Sequence, residues 1–216
     1  MNMNVLYDHT IGRSAAILAI VAVLILGCST QTGSDMPESI RDVALETPVA
    51  LADVKLLDDQ KQQVTRENFT GHWTLVTFGY THCPDICPAT LSQIGMLYKL
   101  VQQDGVKDLP RVYFVSVDPQ RDALEYLGEY TRYFNTSFIG ISGDQQALKS
   151  FEDQFGVFHR YEKQPGSENY LVDHSADIFL VDPQARIVAS FQPPMNLRQV
   201  ADLYAGFVDY YAGKQS

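Results

Sequence analysis

Cys83 and Cys87 stand four residues apart in Phe78-Gly-Tyr-Thr-His-Cys-Pro-Asp-Ile-Cys-Pro-Ala-Thr-Leu91, and the only other cysteine is Cys28. Thiolates are soft ligands and good redox groups, so the pair suits a thiophilic metal, disulfide exchange, or both. Pro84 disfavours helical geometry at the residue before it and so places Cys83 on a loop. Pro88 lacks an amide hydrogen and suits a first helical position, which puts Cys87 at about the N-cap. The positive end of that helix lowers thiol pKa, so both sulfurs are expected to ionise more readily than free cysteine. A stabilising disulfide here would close a very short loop, where the entropic return is smallest. Structural zinc usually takes four protein ligands, whereas two sulfurs suit a low-coordinate soft ion such as Cu(I).

Imidazole is a frequent third ligand, and five histidines are present. His9 lies in the N-terminal segment and His72 precedes the first apolar strand. His159, beside Arg160 on an expected edge strand, reads as a solvated surface residue. His82 adjoins Cys83, but neighbours on an extended chain point to opposite faces, which leaves it an electrostatic role at most. His174, in Tyr170-Leu-Val-Asp-His-Ser-Ala-Asp177, remains. Sequence mechanics leaves its role open between ligand and structural histidine. Met195, in Pro193-Pro194-Met195-Asn196, offers another sulfur, yet its place in a Pro-rich loop at a helix start explains it without a metal.

The elements that must position these groups follow from the hydrophobic pattern. Residues 54–57 and 63–64, separated by Asp58-Asp59-Gln60, read as a small hairpin ahead of the main fold. Residues 73–78 form a β-rich run expected to lie buried in a central sheet. Leu91, Ile94, Leu97, Tyr98 and Val101 then recur at helical spacing. A second strand at 112–117 ends in Asp118-Pro119, a helix follows at 123–134, and a short strand at 138–141. Gly143-Asp144 opens a helix that Gly156 stops, and residues 164–169 read as a loop. Residues 177–181 and 186–191 form a hairpin turned at Asp182-Pro183-Gln184, and residues 196–211 a closing helix. Phe151, Phe155, Tyr204, Phe207 and Tyr210 recur at helical spacing and read as core packing. This order describes an α/β fold, a mixed sheet with helices on both faces. Functional groups in such sheets gather beyond the carboxyl ends of the strands, where the cysteines fall. A thioredoxin-like architecture with an N-terminal β-hairpin extension fits best.

Residues 14–27 are an almost unbroken run of Ala, Ile, Leu and Val after Arg13. The run is shorter than the roughly 17–25 residues that cross a bilayer comfortably, so residues 1–27 read as a signal peptide. Ile25-Leu26-Gly27-Cys28-Ser29 resembles a bacterial lipobox, with lipidation of Cys28, and an uncleaved anchor is the alternative. Either reading places the domain outside the cytoplasm, in the bacterial cell envelope, facing the periplasm or outside. Residues 28–50 read as a lipid-anchored tether and linker, and 51–216 as one domain, of about the ordinary size for a single core. The formal net charge of −10 shows no basic stripe, which excludes nucleic acid as a natural partner.

Three separated motifs occur in order: residues 77–88 around the cysteines, Val115-Ser-Val-Asp-Pro-Gln-Arg-Asp122, and Tyr170-Leu-Val-Asp-His-Ser175. With these, the chain from about Asp53 to its last helix resembles the Sco/SenC family of copper chaperones. The resemblance implies a thioredoxin-like fold and copper, as Cu(I) or Cu(II), held by Cys83, Cys87 and His174. It further implies delivery of copper to the binuclear centre of cytochrome c oxidase, or reduction of that centre's cysteines. The implied partners are the oxidase's copper-accepting subunit, a copper donor and a thiol reductant, with the membrane reached through the lipid. Asp173 or Asp177 is expected to orient His174 from outside the ligand shell, although turn propensity equally explains Asp173. Asp85 either tunes the charge of the site or stays solvated. Asp118 and Arg121 are accounted for by a helix-initiating turn with a local ion pair. The competing function is a thiol–disulfide oxidoreductase. Three residues between the cysteines, and Asp173-His174-Ser175 where thioredoxin-type reductases usually have a proline, weigh against a general reductase.

Overall fold

The computed structural model describes residues 36–163 and 170–213. The segment containing Cys28, the signal peptide and most of the tether lies outside the described residues, as does the loop expected at 164–169. No helix among the described residues is long and apolar enough to cross a membrane.

Strand β4 (Thr74–Gly79) is buried at every position, which is why its sequence reads as a continuous apolar run rather than an alternating one. It pairs parallel with β5 (Arg111–Ser116) on one side and antiparallel with β9 (Ile178–Val181) on the other. Helix α2 (Ile86–Gln103) crosses from β4 to β5, and α3 (Leu124–Phe134) crosses from β5 to the parallel β6 (Ile139–Ser142). Helix α4 (Gln145–Phe155) starts at the Asp144 cap, whose carboxylate accepts from the Ala147 amide, and ends at Gly156 in a left-handed conformation (φ 66°). The late hairpin of β9 and β10 (Arg186–Phe191) and the last helix α5 (Leu197–Ala212) form as the pattern predicts. Phe78 of β4 packs on Phe151 and Phe155 of α4, with ring centroids 6.0 and 5.3 Å away. On the opposite face, Phe114 of β5 meets Tyr130 of α3 at 5.7 Å, and α2 packs beside α5. The mixed sheet is thereby covered on both faces, as in the thioredoxin-like architecture.

The expected β-hairpin, β2 (Leu56–Asp58) with β3 (Gln63–Val64), is present, but it is not an outlying extension. β2 joins the main sheet antiparallel to β6, Leu57 opposite Ser142. The tether also ends earlier than residue 50. Residues Glu38–Arg41 form a one-turn helix α1, and Ala44–Ala50 form β1, antiparallel to β10 at the far edge. Ile40 is fully buried, and the backbone of Gly206 in α5 lies close enough that a Cβ there would come within 2.9 Å of the Ile40 side chain. An apolar side chain with a pocket to fill orders this stretch against its polar composition. The sheet runs β1-β10-β9-β4-β5-β6-β2-β3.

The strand expected at His159 forms, but not at an edge of the main sheet, and the strand it pairs with has no counterpart in the sequence pattern. β7 (His159–Lys163) and β8 (Tyr170–His174) pair antiparallel as a separate two-stranded sheet, with His159 opposite His174.

Candidate metal centre

The chain leaves β4 at Gly79 and turns at once, the Cys83 amide donating to the Tyr80 carbonyl at 3.3 Å. Cys83 lies on this loop. Helix α2 begins at Ile86 with Asp85 as its N-cap, so Cys87 is the second helical residue and Pro88 the third, two positions deeper than the Pro88 argument predicts. Proline is tolerated there because the first four amides of a helix have no partner within it. The first helical bond accordingly comes from Ala89, to the Asp85 carbonyl at 3.2 Å. Asp85 is exposed and its side chain caps nothing, which matches the solvated reading rather than a contact with the sulfurs. Cys87 is buried, and a Cβ added at Gly79 would come within 2.9 Å of its Sγ. The glycine at that position is therefore what lets the thiol rest on the strand.

The β7–β8 hairpin brings the imidazole. His174 Nδ1 lies 2.9 Å from the Ser175 carbonyl oxygen. A carbonyl only accepts, so Nδ1 carries the proton and Nε2 keeps its lone pair, the tautomer a metal ligand requires. Nε2 faces Cys87 Sγ at 3.3 Å, and the edge of the ring meets Tyr80 at 6.0 Å between centroids. The two sulfurs and a nitrogen of His174 all lie within 4.8 Å of one another. Neither Asp173 nor Asp177 orients the ring, contrary to expectation. Asp173 is exposed beside Arg160, 3.6 Å away, because residues adjacent in a strand face opposite ways. Asp177 contributes only its backbone carbonyl, which accepts from Thr77 Oγ1. The Ser175 carbonyl takes the role assigned to them, a role that no side-chain pattern announces.

The two thiols do not ionise alike, which corrects the expectation that both would do so readily. The Cys83 thiol is pulled down to about 3, chiefly because Cys87 donates a hydrogen bond to it. The amides of Asp85 and Cys87 add to this, against the opposing effect of burial. Cys87 is pushed up, by the same hydrogen bond and by burial. Side by side in a poorly solvated pocket, one sulfur holds the charge and the other keeps the proton. Both cysteines are free thiols. Cys83 and His174 line a groove of ≈ 340 Å³ whose apolar walls are Tyr80, Pro84, Ile86, Leu171 and Val172, and Cys87 lies buried behind it.

The remaining predicted residues fall as follows. His82 is exposed, its Nδ1 3.5 Å from Asp122, and turns away from the sulfurs. His159 is not a solvated surface group: its Nδ1 lies 2.9 Å from both carboxylate oxygens of Glu152, which is fully buried under β7. His72 contacts the Asn68 carbonyl at 2.8 Å, and Met195 packs against the core. Phe151, Phe155, Tyr204 and Phe207 are buried as core residues. Asp118 and Arg121 do form the anticipated ion pair, but it is not confined to its turn. Tyr170 Oη donates to Asp118 at 2.8 Å, and Arg121 donates to the Tyr170 carbonyl at 3.0 Å. Tyr80, Tyr170, Thr81 and Asp122 were not singled out by the sequence reading. All four lie inside the three motifs quoted above, which is the one signal that marks them.

A covered mixed sheet with two thiols at a helix start and an imidazole across a groove defines a thioredoxin-like domain built to hold a soft metal ion. The chain belongs to the SCO1/SenC family, whose model matches residues 45–208. It is 32% identical to a SCO2-like protein of Rickettsia prowazekii over 151 residues, 69% of this chain and 73% of that one. It is also 32% identical to the mitochondrial SCO2 homolog of Danio rerio over 165 residues, 76% of this chain but only 58% of the fish protein. Among solved structures, Arabidopsis thaliana ScoI with copper bound superposes with a TM-score of 0.68 at 30% identity. That match covers 75% of this chain and 98% of the other.

Proposed function

We propose that this chain is an extracytoplasmic copper chaperone that carries the ion on Cys83, Cys87 and His174 for the binuclear copper site of cytochrome c oxidase. The observation that carries this reading is the convergence of two sulfurs and a ring nitrogen of His174 within 4.8 Å. Two thiolates and one imidazole suit three-coordinate Cu(I), and Cu(II) would take an added oxygen or water. Three protein ligands leave one side open to the groove, so an acceptor's ligands can enter before these leave. The relative solved with copper supports the choice of metal, and the family match supports the role in oxidase assembly. The domain is held at the envelope membrane through lipid on Cys28, and Cys28→Ala is expected to shift it from the membrane to the soluble fraction.

The decisive experiment is a Cu(I) titration of the reduced domain against a competing chelator. One ion per chain is expected, with His174→Ala weakening binding by at least about tenfold, the scale on which even outer-shell partners act. Equal affinity in both proteins would remove His174 from the site.

The inequality of the thiols favours a second reading, reduction of a protein disulfide. The Cys83 thiolate would attack one substrate sulfur and release the other as thiolate. Cys87, after losing its proton, would then close the Cys83–Cys87 disulfide and free the second substrate thiol, two electrons having passed from the pair. Repeated turnover of a disulfide substrate without copper would place this reading first.

A further inference from the structure

The turn that follows β5 touches both segments that carry the candidate ligands. On one side, the buried Asp122 carboxylate accepts from the Thr81 amide at 3.0 Å, Thr81 Oγ1 at 2.6 Å and Ser116 Oγ at 2.7 Å. Thr81 lies two residues before Cys83. On the other side, buried Asp118 accepts the Tyr170 phenol at 2.8 Å and pairs with Arg121. Arg121 donates to the Tyr170 carbonyl at 3.0 Å and lays its guanidinium 3.6 Å from the centre of the Tyr170 ring. Tyr170 begins the strand that His174 ends. The other strand of that hairpin is tied to the same turn, Tyr161 Oη donating to the Val117 carbonyl at 3.1 Å.

These side-chain bonds matter because the β7–β8 hairpin shares no ladder with the eight-stranded sheet. An isolated two-stranded hairpin is marginal in water, so its position depends on such attachments. Among the described residues the hairpin is also held by the Val172 amide, which donates to Tyr80 Oη at 3.3 Å, and by His159 against Glu152 of α4, so the turn shares this task. Two fully desolvated carboxylates are also poorly rewarded in stability alone, since desolvation offsets most of what an ion pair returns. Their use lies in fixing geometry.

We propose that the turn from Val117 to Asp122 is a positioning bracket. Asp122 holds the cysteine loop, Asp118 and Arg121 hold the histidine hairpin, and one rigid turn thereby sets the span over which the sulfurs and the imidazole meet a single ion. The inference rests on the copper site proposed above, and its test separates the two.

Cu(I) affinity is measured by chelator competition in the wild type, Arg121→Gln, His174→Ala and the double variant, with Tyr170→Phe as a milder probe. Arg121→Gln is expected to lower affinity about tenfold, in the range of outer-shell losses. In the His174→Ala background the same change is expected to cost less than about twofold, because the misplaced ligand is already gone. Without metal, amide exchange at Val172 is expected to quicken in Arg121→Gln and Tyr170→Phe. Equal losses in both backgrounds, or wild-type affinity with unchanged exchange, would overturn the bracket. If His174→Ala binds like the wild type, the copper-site reading fails instead, while the exchange measurement still decides whether the turn holds the hairpin. Should Arg121→Gln not fold, Tyr170→Phe keeps the ring and the ion pair and carries the same comparison.

Discussion

A thiol that keeps its proton is what lets its neighbour lose one. Cys83 rests against the Cys87 thiol and two amides, and these favour its charged form over the desolvation that opposes it. With Cys83 ionised, a second charge on Cys87 would face repulsion in a buried pocket, so that thiol is held protonated. Cys83 is therefore expected to alkylate first, at a rate that stays nearly flat from pH 8 to pH 6, where a free thiol loses about tenfold per unit. Mass spectrometry of iodoacetamide-treated reduced protein checks this, and preferential labelling of Cys87 would refute it. The same asymmetry fixes a sign for stability. A depressed native pKa contributes stability present above the unfolded value, roughly 8.5, and lost as pH falls toward the native one. Cys87 does the opposite, contributing below about 8.5 and losing its contribution as pH rises. The urea midpoint of the reduced protein is thus expected to fall on acidification from pH 8, and to fall less in Cys83→Ser.

Elements place these residues through contacts that local propensity only half describes. Strand β4, helix α2, the capped helix α4 and the β9–β10 hairpin are legible because each repeats a strong period or carries its own cap and turn residues. Gly79 is different: nothing in its neighbours shows that a Cβ would meet the Phe114 ring at 2.7 Å and Cys87 Sγ at 2.9 Å. Gly79→Ala is expected to cost on the order of 1–3 kcal/mol, as overpacked cores do, and to weaken metal binding by displacing Cys87. Urea denaturation and the Cu(I) titration check the two effects, and a variant unaltered in both would contradict the close packing. The β7–β8 hairpin was the least legible element. Its strands mix charge with aromatics, and what holds them is a tyrosine network to a distant turn rather than an alternating apolar face.

At the scale of the molecule, the fold begins before the sequence suggests. The polar stretch after residue 35 looks like tether, yet Ile40 fills a pocket against α5 and β1 closes the sheet edge on β10. Ile40→Ala is expected to cost about 2–5 kcal/mol, the usual range for truncating a buried aliphatic side chain. A thermal or urea midpoint unchanged from the wild type would return this segment to the tether. The opposite edge is finished by β2 and β3, so both edges of the sheet are closed by antiparallel strands. The site lies away from either edge, between the end of central β4 and the detached hairpin, where a partner can approach the groove without disturbing the sheet.

By itself the sequence determined the chemistry: two soft donors at a strand-to-helix junction, a single plausible imidazole far along the chain, and an α/β order that sends both to the carboxyl end of the sheet. Residue type and local periodicity suffice for that, because they act over a few positions. The tertiary structure alone decided which sulfur is charged, that a backbone carbonyl and not Asp173 or Asp177 selects the tautomer of His174, and that one turn grips both ligand-bearing segments. The grip of the turn joins residues 41 and 52 positions apart and the meeting of Cys87 with His174 residues 87 apart, and such distances exist only once the chain has closed on itself.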